Sequence, residues 1–410
     1  MHTKVATLYV IAICLLAVNN GFGQNPPLSL GALTVPQELP NNGACPSGAG
    51  FFPGTVNGNA MQCFSTTVSC PGAASIPLVF GYLPGIPNPV IRGTIVLMPG
   101  SGGDLAGGDG VNLFVLGPSY DPRGYPSSGY NVVELAWGVV QSGDWTGMPW
   151  EDTTNGCVSN CTTPSSIRAA ACRPATFLHY IAGNPTYHTA GTGMCAQGIS
   201  GGSGAVAYTM AWYGGTNFLD KVELLSGPVF SNIELGCEVP YVSGSPVCQG
   251  SPSFCQSGGA SWTSAPYKYS DSVIQAMREF TGDSTCRLPP ATSFQSDQNW
   301  LHMSIVDTNA SFAYPNTAVT GFACGSINPN AGMGMNNSST EGWTFFNNPI
   351  TASGSYYFYN VQNCSYDEGV YGDGSQVPAL PSSPAGYTAI FNDMISGNPA
   401  LGTPLCQNLH

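Results

Sequence analysis

The stretch of this chain best equipped for chemistry is Met194-Cys-Ala-Gln-Gly198-Ile-Ser200-Gly-Gly202-Ser-Gly204-Ala-Val-Ala-Tyr-Thr-Met-Ala-Trp212. A short apolar run breaks at Gly198, a serine follows at Ser200, and glycines at 201, 202 and 204 open a run of helix formers. This is Gly-x-Ser-x-Gly in a strand, tight turn, helix context, the setting of a nucleophilic serine. A serine on so sharp a turn has strained backbone angles, and only residues without a Cβ let strand and helix approach closely around it. The start of the helix offers unpaired N–H groups that can hold a developing oxyanion. A glycine-rich loop is the competing reading, because the chain carries 53 glycines and Ser203 also lies among them, in Gly201-Gly-Ser-Gly204.

From these residues the sequence resembles the α/β-hydrolase superfamily, over about residues 75–400 and in the order of its elements. The resemblance implies an α/β fold with a mostly parallel central sheet flanked by helices. It also implies a serine nucleophile, an acid after a later strand, a histidine after the last strand, and hydrolysis of esters or amides.

The elements that must position such a site can be read in order. Ser75–Leu83 is a predicted strand, and Arg92–Met98 is a continuous apolar one, as in a parallel sheet covered on both faces. The loop after it, Pro99-Gly-Ser-Gly-Gly103, falls where the resemblance places the second oxyanion donor; Ser101 and Gly102 would serve with the N–H of Gly201. A flexible glycine loop without function is the alternative. Tyr130–Trp137 is the next strand, and Trp145 and Trp150 after it would line a cleft or simply be buried. A helix is expected from near Pro164 to Tyr180. His179 on it and His188 after it precede Ser200, so the superfamily order gives them no catalytic role.

Asp220–Leu225 is another expected strand, and residues 229–297, with Cys237, Cys248, Cys255 and Cys286, read as a cap-like insertion. Trp300–Val306 is expected to follow as a strand with Asp307 at its end, the seat of the acid; an ordinary turn residue is the alternative. His302 is an odd number of residues from Asp307 and so faces the other side of such a strand. Ser355–Val361 is the last strand, and a final helix is expected near 384–395.

No histidine follows that last strand in the loop beginning at Gln362, where Tyr366, Glu368 or Gln376 stands instead. A serine hydroxyl without a base is a poor nucleophile near neutral pH. Three explanations stay open. If Cys406 pairs with Cys364, the four residues after it would let His410 reach about 14 Å at most from that bridge, near the loop. A carboxylate, Glu368 or Asp367, would act as base with its pKa raised by burial. Or the site is inactive and keeps only a pocket. The expected function is a serine hydrolase of small-molecule or polymeric carboxylic esters, with Ser200 as nucleophile and Asp307 as acid. A non-catalytic binding or structural protein on the same fold is the alternative, and a peptidase would share the site.

Composition sets the surroundings. Residues 1–23 have a basic start, an apolar core from Val5 to Val18 and small residues before Gln24, the pattern of a secretory signal. The mature protein is therefore expected to be secreted, without a membrane anchor, as a disulfide-pinned irregular extension over 24–74 followed by a hydrolase domain over 75–410. Fifteen cysteines, one of them Cys14 in the signal, leave an even number suited to an oxidising compartment. A formal net charge of -13 argues against nucleic acid as a partner. No metal or cofactor signature appears, so none is expected.

Overall fold

The computed structural model describes residues 27–46, 49–100, 103, 124–138, 167–199, 201–225, 305, 310–311, 314–324, 356–361, 391–397 and 404–410. Among these residues twelve strands follow in chain order: β1 (Ala32–Leu33), β2 (Gln37–Glu38), β3 (Thr55–Val56), β4 (Asn59–Ala60), β5 (Gln62–Cys70), β6 (Ala73–Leu83), β7 (Gly93–Met98), β8 (Tyr130–Trp137), β9 (Gly193–Ile199), β10 (Lys221–Leu225), β11 (Ala318–Cys324) and β12 (Tyr356–Val361). Three helices matter to the site: α1 (Cys172–Gly183), α2 (Gly201–Trp212) and α3, residues 391–396.

Ten strands form one sheet in the order β1-β5-β6-β8-β7-β9-β10-β11-β12, with β2 also paired to β5. From β8 to β12 every pairing is parallel, whereas β6 runs antiparallel to both β8 and β5. The apolar runs take the centre: every residue of β7 and β8 is buried, as strands covered on both faces must be.

One face of the sheet packs Val96, Met98, Ala196, Val222 and Leu224 against α1 and α2. All twelve residues of α2 are buried. Its sequence is apolar on every side, which fits a helix enclosed by protein rather than one lying on a surface. The other face packs Ile95, Leu97 and Val132 against Phe51, Phe52, Tyr125, Phe391 and Met394.

Two sequence expectations change here. The lead-in over 24–74 is not irregular: Gln62–Cys70 pairs with Ala73–Tyr82, and Phe51, Phe52 and Met61 enter the core. Threonines and serines inside β5 hide its strand pattern, although Thr66, Thr67 and Val68 are β-branched residues that suit a pleated surface. The strand beside β10 is Ala318–Cys324, not 300–306; Ile305, the one described residue of that span, is a buried turn residue.

Three disulfides lie among the described residues: Cys45–Cys63, Cys70–Cys172 and Cys195–Cys406. The last closes 211 residues and ties the C-terminal segment to the central strand β9. Cys406 is therefore not bonded to Cys364. No described helix is long and apolar enough to cross a membrane.

Candidate active site

β9 ends at Ile199 and α2 begins at Gly201, so Ser200 is the single residue joining the strand to the helix. Ser200 itself, and with it Ser101, Gly102, Asp307 and Glu368, lies outside the described residues, as do Trp145, Trp150, Tyr366, Asp367, Gln376 and the insertion over 229–297. The flanks of the joint are described, and they are tightly closed. A methyl group built on Gly198 would stand 2.2 Å from the Gly202 carbonyl oxygen. One built on Gly202 would stand 2.4 Å from the Met98 carbonyl oxygen and 2.7 Å from that of Pro99. The start of α2 and the end of β7 therefore lie backbone against backbone.

The loop leaving β7 turns through Gly103, whose φ of 74° is one glycine adopts freely. Its N–H donates to the Gly100 carbonyl at 3.0 Å, and its own carbonyl accepts from Trp137 N–H at 2.6 Å. This brings Gly201 and the two ends of the Ser101–Gly102 segment to the same edge of the sheet, where the parallel strands finish.

These contacts make Gly198→Ala costly. Neither partner is a movable side-chain tip, so the turn must open, at roughly 1–3 kcal/mol. Gly183→Ala, at a site with nothing within 4 Å, is the control and should be neutral or slightly stabilising. Paired urea titrations would check both.

The glycine-rich-loop reading of 201–204 does not hold, because these residues are helical. Ser203 is fully buried, and its hydroxyl donates to the Gly198 carbonyl at 2.8 Å. It braces the turn from inside the helix.

The described histidines lie elsewhere. His179 packs edge-on against Phe218, which shortly precedes β10. His188 Nδ1 is 3.3 Å from the hydroxyl of Thr94, the second residue of β7, and burial lowers its pKa. His410 Nε2 is 3.8 Å from Asp220 Oδ1, immediately before β10. All three stand where the parallel strands begin. Lys221 pairs with Cys195 and Leu225 with Ile199, so Asp220 is about six strand residues, roughly 20 Å, from position 200. The Cys195–Cys406 bridge takes the C-terminal segment, and His410 with it, to the end of the sheet opposite the joint at position 200.

Asp307 lies outside the described residues, and the strand expected before it is not the neighbour of β10. A strand after β10 that could present an acid at the right edge is β11, whose last residue is Cys324. Before β11, Ser311 N–H donates to the carbonyl of Ala211 near the C-terminus of α2.

Below the joint the structure holds a set of buried polar residues that the sequence did not single out. Glu134 of β8, Gln197 of β9, Glu223 of β10 and Thr320 of β11 lie in one row across the sheet, with Leu97 between the first two. Gln197 Nε2 donates to Glu223 Oε2 at 2.6 Å and to the Tyr125 hydroxyl oxygen at 3.2 Å. Glu134 Oε2 accepts from Phe52 N–H at 2.9 Å. Glu134 Oε1, Gln197 Oε1, Glu223 Oε1 and Thr320 Oγ1 are buried without a hydrogen-bond partner among the described residues. Burial pushes the Glu134 carboxyl up to about 8. Burial, and then the neighbouring Asp393, hold that of Glu223 well above the usual carboxylate range. In sequence these polar positions sit inside runs read as strands of the sheet, and nothing local marks their partners, since the covering helix α3 is remote in the chain.

The mostly parallel sheet, its antiparallel edge and its flanking helices make an α/β-hydrolase fold. Among solved structures the chain is similar to brefeldin A esterase, a bacterial homologue of human hormone sensitive lipase, at 11% identity and a TM-score of 0.45, over 88% of this chain and 79% of that one. It is similar to acetyl xylan esterase 1 from Thermoanaerobacterium sp. JW/SL YS485 at 11% identity and a TM-score of 0.40, over 74% of this chain and 79% of that one. It is also similar to Pyrococcus horikoshii acylaminoacyl peptidase at 10% identity and a TM-score of 0.44, over 82% of this chain but only 41% of that one. No protein-family model matches the chain, and no curated protein matches its sequence.

Proposed function

We propose that this chain is a secreted serine hydrolase of carboxylic esters, with Ser200 as its nucleophile. The observation that carries the reading is the joint itself. A buried central strand ends one residue before Ser200, and a twelve-residue helix starts one residue after it. The glycines at 198 and 202 admit no side chain. In this reading Ser200 attacks the carbonyl carbon, and the oxyanion is held by the N–H of Gly201 and by a second donor from Ser101 or Gly102. The proton leaves for a carboxylate base, Glu368, since the described histidines stand at the other end of the sheet.

The test is labelling of the secreted protein by a fluorophosphonate, read by intact mass. One adduct is expected on the wild type and none on Ser200→Ala. Glu368→Gln should slow labelling by at least about tenfold, as loss of a general base does. Asp307→Asn, run beside it, is expected to label at the wild-type rate if its acid role falls with its strand.

The position of the three described histidines favours a second reading, a non-catalytic binding protein on the same fold. Well-folded wild type that takes no label would establish that reading against ours.

A further inference from the structure

Helix α2 carries two buried aliphatic hydroxyls, and they make different bonds. A serine or threonine inside a helix ordinarily turns its hydroxyl back to a carbonyl one turn earlier in the same helix. Thr209 does so: it is fully buried, and its Oγ1 donates to the Ala205 carbonyl at 2.8 Å. Ser203 has no such carbonyl within reach, because α2 starts only at Gly201. Its hydroxyl, equally buried, reaches back to β9 and donates to the carbonyl of Gly198 at 2.8 Å. The bond therefore runs from helix to strand and spans position 200.

Both ends of that bond are fixed. Gly198 lies within the sheet, paired with Met98 of β7 and Leu224 of β10. Ser203 lies in a helix whose every residue is buried. A methyl group built on Gly198 would come 2.8 Å from the Ser203 nitrogen, so the first turn of α2 sits directly on the strand end. That closeness demands glycine at 198 and 202, and Gly201 adds another beside position 200. Glycine has the widest choice of backbone angles, so a joint written in glycine fits the space but is poorly determined in direction. A buried hydrogen bond across it supplies the missing definition.

We propose, on the reading of Ser200 as the nucleophile, that Ser203 is a positioning residue: its hydroxyl fixes the start of α2 on the end of β9, and thereby the direction in which Ser200 presents its own hydroxyl. Attack on a carbonyl carbon needs the reacting atoms aligned as well as close, and a small displacement from that geometry costs rate. Ser203 takes no part in making or breaking bonds. It acts through Ser200.

The experiment compares Ser203→Ala with Thr209→Val. Each removes one buried hydroxyl-to-carbonyl bond made by α2, and neither adds bulk. Alanine is also the better helix former, so Ser203→Ala is expected to fold. Its rate of fluorophosphonate labelling should fall about tenfold, while that of Thr209→Val stays within about twofold of the wild type. With p-nitrophenyl acetate, kcat should fall by the same factor and KM stay unchanged, because alignment is lost and not binding. A merely structural hydroxyl predicts equal slowing in both variants, or in neither, and either result with a wild type that labels overturns the proposal alone. A wild type that takes no label overturns the nucleophile reading and the positioning role with it. Should Ser203→Ala fail to fold, hydrogen exchange of the wild type decides. Ala205 and Val206, the first residues of α2 whose N–H groups can bond within the helix, should exchange within about tenfold of Thr209 and Met210 in its body. Much faster exchange would mean a frayed start that no bond to Gly198 holds, and would overturn the proposal.

Discussion

The wild-type protein is expected to lose stability as pH rises from about 4.5 to about 8, and Glu134→Gln to lose much less. The sign follows from the raised pKa. Below 4.5 the Glu134 carboxyl is protonated whether the chain is folded or not. Between 4.5, its ordinary value, and about 8, its value in the fold, the folded protein holds a proton that the unfolded chain releases, so each step up in pH favours unfolding. Above about 8 the whole cost is present. Each pH unit in the window is about 1.4 kcal/mol, and the window sums to something on the order of 5 kcal/mol. The cause is location: Glu134 has no exposed surface, and its one hydrogen bond, from Phe52 N–H, does not offset burial. In Glu134→Gln the side-chain carbonyl can still accept from Phe52 while the titration is removed. Urea unfolding at half-unit pH steps would show the two curves converging near pH 4.5 and separating towards pH 8. The remaining slope in the variant belongs to Glu223 and Asp220, whose pKa values move the same way, offset by His188, whose pKa is lowered. Parallel curves for the two proteins would contradict the assignment.

The same residue shows why parts of the chain are legible in sequence and others are not. The runs at Gly93–Met98, Tyr130–Trp137 and Gly193–Ile199 announce a covered parallel sheet because burial on both faces leaves mainly apolar residues. The joint at Ser200 announces itself because a strand-to-helix turn without room for a Cβ must be written in glycine. Those signals are local. What fails is whatever depends on distant partners. Glu134, Gln197, Lys221 and Glu223 are polar residues inside runs that read as buried core strands, and the groups that satisfy them, from Phe52, Tyr125 and Asp393, are remote in sequence. β11, Ala318–Cys324, carries Gly321 in its middle, which weakens its strand signal, and takes the place beside β10 expected of 300–306. The place of His410 depended on which cysteine Cys406 meets, a choice that spacing alone does not make.

These misreadings bear on mechanism because they separate two ends of one sheet. At the finishing ends of the parallel strands lie the Ser200 joint and the loop after β7. At the starting ends lie the described histidines, Asp220 and the Cys406–His410 segment. Asp220 accepts there from Met194 N–H at 2.7 Å and from Leu409 N–H, and burial outweighs those bonds in raising its pKa. His410 lies beside it, its Nε2 3.8 Å from Asp220 Oδ1, some 20 Å by strand length from position 200.

That separation can be tested by cutting the bridge that enforces it. The double variant Cys195→Ser/Cys406→Ser is expected to lose about 2–5 kcal/mol of unfolding free energy, because the bridge closes a loop of 211 residues and restricts the unfolded chain accordingly. The native contacts of the segment partly hold it in place. Tyr130 donates its hydroxyl to the Cys406 carbonyl at 2.9 Å, Lys221 donates to Pro404, and Cys406 N–H bonds to Met394. The fold should therefore persist at 25 °C with a lower urea midpoint. Fluorophosphonate labelling of the folded variant, and of His410→Ala, should proceed at the wild-type rate, since neither change reaches the edge where Ser200 stands. Loss of labelling in His410→Ala, with its urea midpoint unchanged, would instead mean that the C-terminal segment feeds the reaction, and the base would have to be sought there after all.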